Sequence, residues 1–154
     1  MSWLEFLRLV LARVGKRAWI YREGQHRMFW VLETSGPWPT GVSTFSSEEE
    51  RLAYARGYFD AEGGIPRNLT ARFYVQFVQK NLADIGGLRA MLVESGIGCG
   101  KLHNPSRFGD LDLWRFYVVA GAHRRFAHMV SSWHPRKRSL LEARFGPLAT
   151  RMKR

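Results

Sequence analysis

The stretch Ser46-Ser-Glu-Glu-Glu-Arg-Leu-Ala-Tyr-Ala-Arg-Gly-Tyr-Phe-Asp-Ala-Glu-Gly-Gly64 decides how the rest of the chain is read. Either serine can cap a helix with a glutamate three residues on, and acidic residues in the first turn suit the positive end of the helix dipole. The spacing predicts a helix from residue 47 or 48 through Glu62, stopped by Gly63-Gly64. Ala53, Gly57 and Ala61 recur every four residues, a stripe of minimal side chains along one face. Such a face fills a core poorly but lets another helix backbone come very close, the geometry of small-residue packing in membranes. Asp60 and Glu62 close the helix two positions apart, so they do not share a face and a simple two-carboxylate pincer is poor geometry. One carboxylate is then structural and the other projects from the helix end. The dipole disfavours a carboxylate there, which asks for a compensating cation or metal. With no His or Cys alongside, oxygen ligands alone point to Mg²⁺ rather than zinc; the alternative for the same cluster is a solvated cap.

Downstream the period switches to two. In Thr70–Gln79, Phe73, Val75 and Phe77 share one face and Arg72, Tyr74 and Gln76 the other, which predicts a half-buried strand. Asn81 can cap a helix with apolar positions at Leu82, Ile85, Leu88 and Leu92, ended by Gly96. A strand pair at Cys99–His103 and Leu113–Val119 follows, then a helix over 122–131, a break at His134-Pro135 and a basic helix from about Arg136 to Phe145. From Ser47 the order is αββαββα, an α+β fold with one mixed or antiparallel sheet and its helices on a single face.

Upstream, Leu4, Leu7, Leu11 and Val14 mark a helical face that Gly15 ends. Strand-like runs at 17–22 and 27–32 flank Glu23-Gly24-Gln25-His26, a hairpin turn. The organisation expected is therefore a helix–hairpin extension (1–34), a Pro/Gly-rich linker (35–46), a main domain (47–146) and a basic tail (147–154). A faint repeat aligns residues 5–15 with 86–96 without gaps, at Leu7/Leu88, Arg8/Arg89, Leu11/Leu92 and Gly15/Gly96. In each case a hairpin follows whose second strand reads alike, Phe29-Trp30-Val31 against Phe116-Tyr117-Val118. Amphipathic helices also resemble one another by chance.

Composition narrows the partners. Of 154 residues, 24 are basic and 13 acidic, a formal net charge of +11, and nineteen of the basic residues are Arg. Arg grips phosphates and guanine edges with two prongs, so the excess favours nucleic acid, although GC-rich coding also inflates Arg. The single cysteine, Cys99, excludes an internal disulfide framework and a cysteine-cluster zinc site. Arg8 and Arg13 interrupt the longest apolar stretch, Trp3–Val14, and no cleavage site follows it. The expectation is an intracellular protein with no membrane partner.

The run Ala55-Arg-Gly-Tyr-Phe-Asp-Ala-Glu-Gly63 resembles the signature of the LAGLIDADG homing endonucleases, with Gly57, Asp60, Ala61, Glu62 and Gly63 on the motif's positions. The likeness continues through Phe77-Val-Gln-Lys80, Gly96-Ile-Gly98, the second hairpin and His134-Pro-Arg-Lys-Arg138, covering about residues 47–146. One motif implies a homodimer whose motif helices pack side by side at the two-fold axis, with Ala53, Gly57 and Ala61 as the contact face. It implies double-stranded DNA as substrate and no small-molecule cofactor. Each subunit would cut one strand across the minor groove, leaving 3′ overhangs. Glu62, where aspartate is more usual, would hold the catalytic Mg²⁺ with help from the Ala61 carbonyl, and Asp60 would be mainly structural. Two such carboxylates about 5 Å apart would repel by roughly 3 kcal/mol at an effective dielectric near 20, which a divalent cation relieves.

The same resemblance places Gln79 at the polar position near the active-site water and Lys137 at the active-site lysine, suited to stabilising developing negative charge. Gln79 also reads as an exposed strand-end amide, and Lys137 as a phosphate contact within Arg136-Lys-Arg138. The family's basic residue four places after the polar one is here Ala83. DNA would lie on the sheet face opposite the helices, where alternation nominates Arg72, Tyr74, Gln76, Lys101, His103 and Arg115, beside Arg136 and Arg138. His26, His123, His128 and His134 show no metal-ligand pattern; His123 and His128 read as helix-surface or core residues. Arg124, Arg125, Arg151, Lys153 and Arg154 read as sequence-blind phosphate attraction. Two rivals stand beside the nuclease: a non-cleaving DNA- or RNA-binding protein of this fold, such as a maturase or transcription regulator, and a plain basic interaction module.

Overall fold

A computed structural model describes residues 2–24, 29–37, 45–106 and 108–148. The chain divides into two units, Met1–Thr40 and Gly41–Arg154.

In the first unit, helix α1 (Trp3–Arg13) opens on a capping box in which the Ser2 hydroxyl accepts from the Glu5 amide while the Glu5 carboxylate accepts from Ser2 N–H. Strands β1 (Ala18–Glu23) and β2 (Phe29–Thr34) form an antiparallel hairpin with Ile20 opposite Leu32. These bounds lie one or two residues beyond the sequence reading. Gln25 and His26 of the expected turn, and residues 38–44 of the expected linker, lie outside the described residues.

In the second unit, helix α2 (Glu48–Glu62) is capped by Ser47, whose hydroxyl accepts from the Glu50 amide at 3.2 Å; the neighbouring Ser46 donates to the Glu50 carboxylate instead. It runs directly into β3 (Gly63–Gly64), which pairs antiparallel with β4 (Val75–Gln79); β4 in turn pairs antiparallel with β5 (Trp114–Val118). Gly63 follows from close approach: a Cβ there would stand 2.6 Å from the Phe59 carbonyl oxygen. Helix α3 (Leu82–Glu94) is capped by Asn81, and the 3₁₀ turn Ala120–Ala122 leads into α4 (His123–Met129) and α5 (Pro135–Phe145).

Two strand expectations shorten. Thr70–Tyr74 is not strand: the paired length of β4 is set by its neighbours, and two-residue β3 reaches only Gln76 and Phe77. The Asn68 side chain instead accepts from the Thr70 amide at 2.9 Å and turns the chain. Cys99–His103 meets β5 only through bridges at Cys99↔Val118 and His103↔Arg115. Four steps on one side match three on the other, a bulge that interrupts the ladder beside Gly100. The helix expected over 122–131 is α4, which stops at Met129 because Ser131 adopts φ 61°.

Val75, Phe77, Phe116 and Val118 turn inward and are buried with Ala55 and Phe59 of α2, Ile85, Leu88 and Leu92 of α3, Phe126 of α4 and Leu141 of α5. The opposite sheet face is left to Gln76, Val78, Arg115 and Tyr117, all half-buried. The helices therefore lie on one face, as the alternation predicts.

Candidate active site and nucleic-acid face

The end of α2 is clasped by the segment leading into α5. Lys137 is 6% exposed, and its ammonium donates to the carbonyls of Phe59 at 2.6 Å, Asp60 at 3.0 Å and Gly63 at 2.7 Å. All three of its protons thus rest on the negative pole of the helix, and it also stands 4.9 Å from the Phe59 ring centroid. Burial pulls the ammonium below its ordinary pKa, with the Asp60 carboxylate pulling the other way. The compensating cation that the acidic helix end demands is supplied by the chain itself. Lys137 lies inside this clasp rather than projecting from it.

Asp60 completes the clasp from the other side. One carboxylate oxygen accepts from the Ser132 hydroxyl and the other from the Trp133 amide at 2.9 Å. One turn earlier, Arg56 donates to the Val130 carbonyl and lies 4.9 Å over the Trp133 ring. Arg56 and Asp60 are four residues apart and share a face. That spacing was visible in the sequence; Ser132 and Trp133 carried no signal there, because the loop's path is a tertiary outcome.

Glu62 and Ala61 point elsewhere: both are exposed at the last turn of α2. Lys137 takes two of the final four helix carbonyls, Phe59 and Asp60, and the Ala61 carbonyl is not among its partners. Of the small-residue stripe, Gly57 is exposed with nothing within 4 Å of where its Cβ would stand, and Ala53 is half-buried. Among the described residues no group of three or more His, Cys, Asp or Glu could hold a metal. One exposed carboxylate and one carbonyl are donors of the right hardness for Mg²⁺, which takes one or two carboxylates and fills the rest of its six positions with water and phosphate oxygens.

Gln79 sits at the end of β4, paired with Trp114, and its side-chain oxygen accepts from the Lys80 amide at 2.7 Å. It faces the same side as Val75 and Phe77, next to Tyr58. Burial pushes the Tyr58 phenol up to about 12; the Gln79 amide opposes this and the Glu62 charge adds to it. Tyr58 and Glu62 stand one turn apart on α2, so the phenol links the two predicted positions. Ala83 lies in the first turn of α3 and brings no charge.

On the outer sheet face the structure brings together Tyr74, Gln76, His103 and Arg115, all around Tyr117. Gln76 lies opposite Tyr117 and folds over Gly64, where a Cβ would stand 2.8 Å from its amide nitrogen. Tyr74 meets Tyr117 edge-on at 6.2 Å, and the His103 ring lies nearly parallel to it at 6.1 Å. Tyr117 was not among the sequence candidates, although its period-two relation to Arg115 was there to be used. Arg72 and Lys101 are exposed but outside the paired strands. Arg136 is exposed in the first turn of α5. Arg138 bonds the Leu148 carbonyl at 2.8 Å and Glu142 at 2.9 Å, so it braces the C-terminal segment.

His123 is a core residue: buried, 3.0 Å from the Val118 carbonyl by its Nε2 and edge-on to Phe73. His128, Arg124 and Arg125 are exposed, with Arg125 donating to the Ser95 carbonyl at 3.2 Å. His26, Arg151, Lys153 and Arg154 lie outside the described residues. No described helix is long and apolar enough to cross a membrane.

No family model and no curated protein matches the chain. Solved structures do. Mesophilic variants of the homing endonuclease I-DmoI superpose with a TM-score of 0.58 at 14% identity, over 83% of this chain and 70% of that one. I-DmoI in complex with DNA and Mn gives 0.58 and 14%, over 84% and 72%. The fold is that of a homing endonuclease. On the homing-endonuclease fold, the clasped helix end and the aromatic sheet face are the two features that this chain's own residues build.

Proposed function

We propose that the protein is a site-specific, metal-dependent DNA endonuclease of the single-motif LAGLIDADG type, cutting both strands as a homodimer. The observation that carries this reading is Glu62, an exposed carboxylate on a rigidly clasped helix tip, beside an open small-residue face. One Glu62 with water and phosphate oxygens can seat a hard cation, and a second copy packed along Ala53, Gly57 and Ala61 would bring a second Glu62 beside it for the other strand. Bound Mg²⁺ would supply charge stabilisation for the attacking and leaving oxygens. Glu62 and the Ala61 carbonyl hold the cation and fix its distance from the helix. Gln79 orients water next to Tyr58. Lys137 and Asp60 hold the tip still. Arg72, Tyr74, Gln76, Lys101, His103 and Arg115 face the duplex, and Arg136 adds phosphate attraction.

The I-DmoI structure with DNA and Mn supports both the DNA and the divalent ion. The test is incubation with a genomic-fragment library: discrete double-strand ends with Mg²⁺ and none with chelator are expected. A second reading, a non-cleaving DNA- or RNA-binding protein of this fold, is favoured by one observation. Ala83 brings no charge and the Lys137 ammonium is saturated by carbonyls, which leaves Glu62 without a basic neighbour of the usual kind. Tight binding to one site with intact strands under all metal conditions would establish that reading instead.

A further inference from the structure

The outer sheet face holds an arginine whose position is set before any ligand arrives. Arg115 runs along β5 to its i+2 neighbour, and Nη1 donates to the Tyr117 hydroxyl at 3.1 Å. Its guanidinium also lies 5.9 Å from the Tyr117 ring centroid. Tyr117 packs between two rings, Tyr74 edge-on to it and His103 nearly parallel to it. His103 is itself fixed opposite Arg115 by two backbone hydrogen bonds of 2.9 Å. The Arg115 Nε is buried without an acceptor among the described residues. A guanidinium has five donors in a planar fork, and Tyr117 accepts one of them.

We propose that Arg115 is a specificity-determining residue that reads one guanine in the major groove close to the cut, and that Tyr117 is its positioning residue. This rests on the nuclease reading and adds to it a base, a place and a mechanism. The base follows from the fork: guanine alone presents two acceptors, O6 and N7, side by side in the major groove. The place follows from register. Gly63, the residue after Glu62, pairs with Phe77, and Phe77 pairs with Phe116, the neighbour of Arg115. β5, which carries Arg115, is thus two strand spacings, about 10 Å, from β3, which begins where the helix tip ends. The mechanism is preorganisation: an arginine already held by Tyr117 loses less freedom on meeting its base than a free one.

The test is selection of the full-length protein on duplexes with randomised sequence, with the bound fraction read base by base. The wild type is expected to enrich guanine at one position within a few base pairs of the cut. Arg115→Gln is expected to lose about tenfold in discrimination at that position and to keep the rest of the profile. Tyr117→Phe removes only the hydroxyl; it is expected to weaken that preference several-fold while its unfolding midpoint and the other positions stay put, which a merely structural tyrosine would not do. A profile for Arg115→Gln that overlays the wild type overturns the proposal and leaves the nuclease reading standing. A Tyr117→Phe profile identical to wild type overturns the positioning role. A wild-type chain that selects no duplex at all overturns the nuclease reading, and this inference with it.

Discussion

The Lys137 ammonium stands 2.7 Å from the carbonyl oxygen of Gly63, the residue that follows the acidic tip of α2. A cation from α5 thereby meets the carbonyl pole of α2, next to Glu62. Replacing Lys137 by Met takes this donor from the Asp60 and Gly63 carbonyls in a buried place, while the Phe59 carbonyl keeps the Gly63 amide. Destabilisation of about 3 kcal/mol is expected, read from urea unfolding. A lysine acting only on the reacting phosphate would give the opposite pattern, lost cleavage with unchanged stability.

Gly57 tests the proposed dimer face without touching the core. Space around its Cβ is open, and leucine at an exposed helical position contributes about 1 kcal/mol of helix propensity over glycine. Gly57→Leu should therefore fold as well as or better than wild type, yet sediment as a monomer at concentrations where wild type is dimeric. A leucine variant that still dimerises places the interface elsewhere.

These two residues mark what could be read from the sequence. Gly57 was legible because helix periodicity alone puts Ala53, Gly57 and Ala61 on one face, and the structure leaves that face open. The inward face of β4 was legible for the same reason, with Val75 and Phe77 both fully buried. The acidic helix end asks for a cation or metal, and the structure sets the Lys137 ammonium against its carbonyls, a partner that sequence alone does not name. Lys137 lies 74 residues from Gly63. Only packing of α5 against α2 brings them together. Arg138 shows the same limit: its charge suggested phosphate, whereas Glu142 one turn on and the Leu148 carbonyl claim it. Strand lengths failed where pairing partners, rather than alternation, set the ends.

Salt dependence separates the two arginines that flank Lys137. Removing one phosphate-binding charge lowers the slope of log K against log salt by about 0.9 for duplex DNA. Arg136→Ala should lower it by about that amount without altering stability. Arg138→Ala should leave the slope unchanged and lower the unfolding midpoint. Filter binding across a salt series, paired with urea unfolding, reads both.

Acid should loosen the fold through two histidines. Burial holds His123 below its ordinary 6.5, and His134 is lowered mainly by burial and then by the Lys137 charge. As pH falls through 6.5 the unfolded chain takes up protons that the folded chain refuses, so stability declines from there towards the lowered folded values. The urea midpoint should drop between pH 7 and about 5. His123→Gln with His134→Gln should flatten that decline.

On the proposed reading, Glu62 acts at the cut through its carboxylate, not through the fold. Glu62→Gln keeps the size and the exposed setting of the side chain and removes only its charge. Cleavage of the cognate duplex, once a fragment library has supplied it, should be lost in this variant, with site binding and unfolding midpoint unchanged. A glutamine variant that cuts at the wild-type rate would contradict the account.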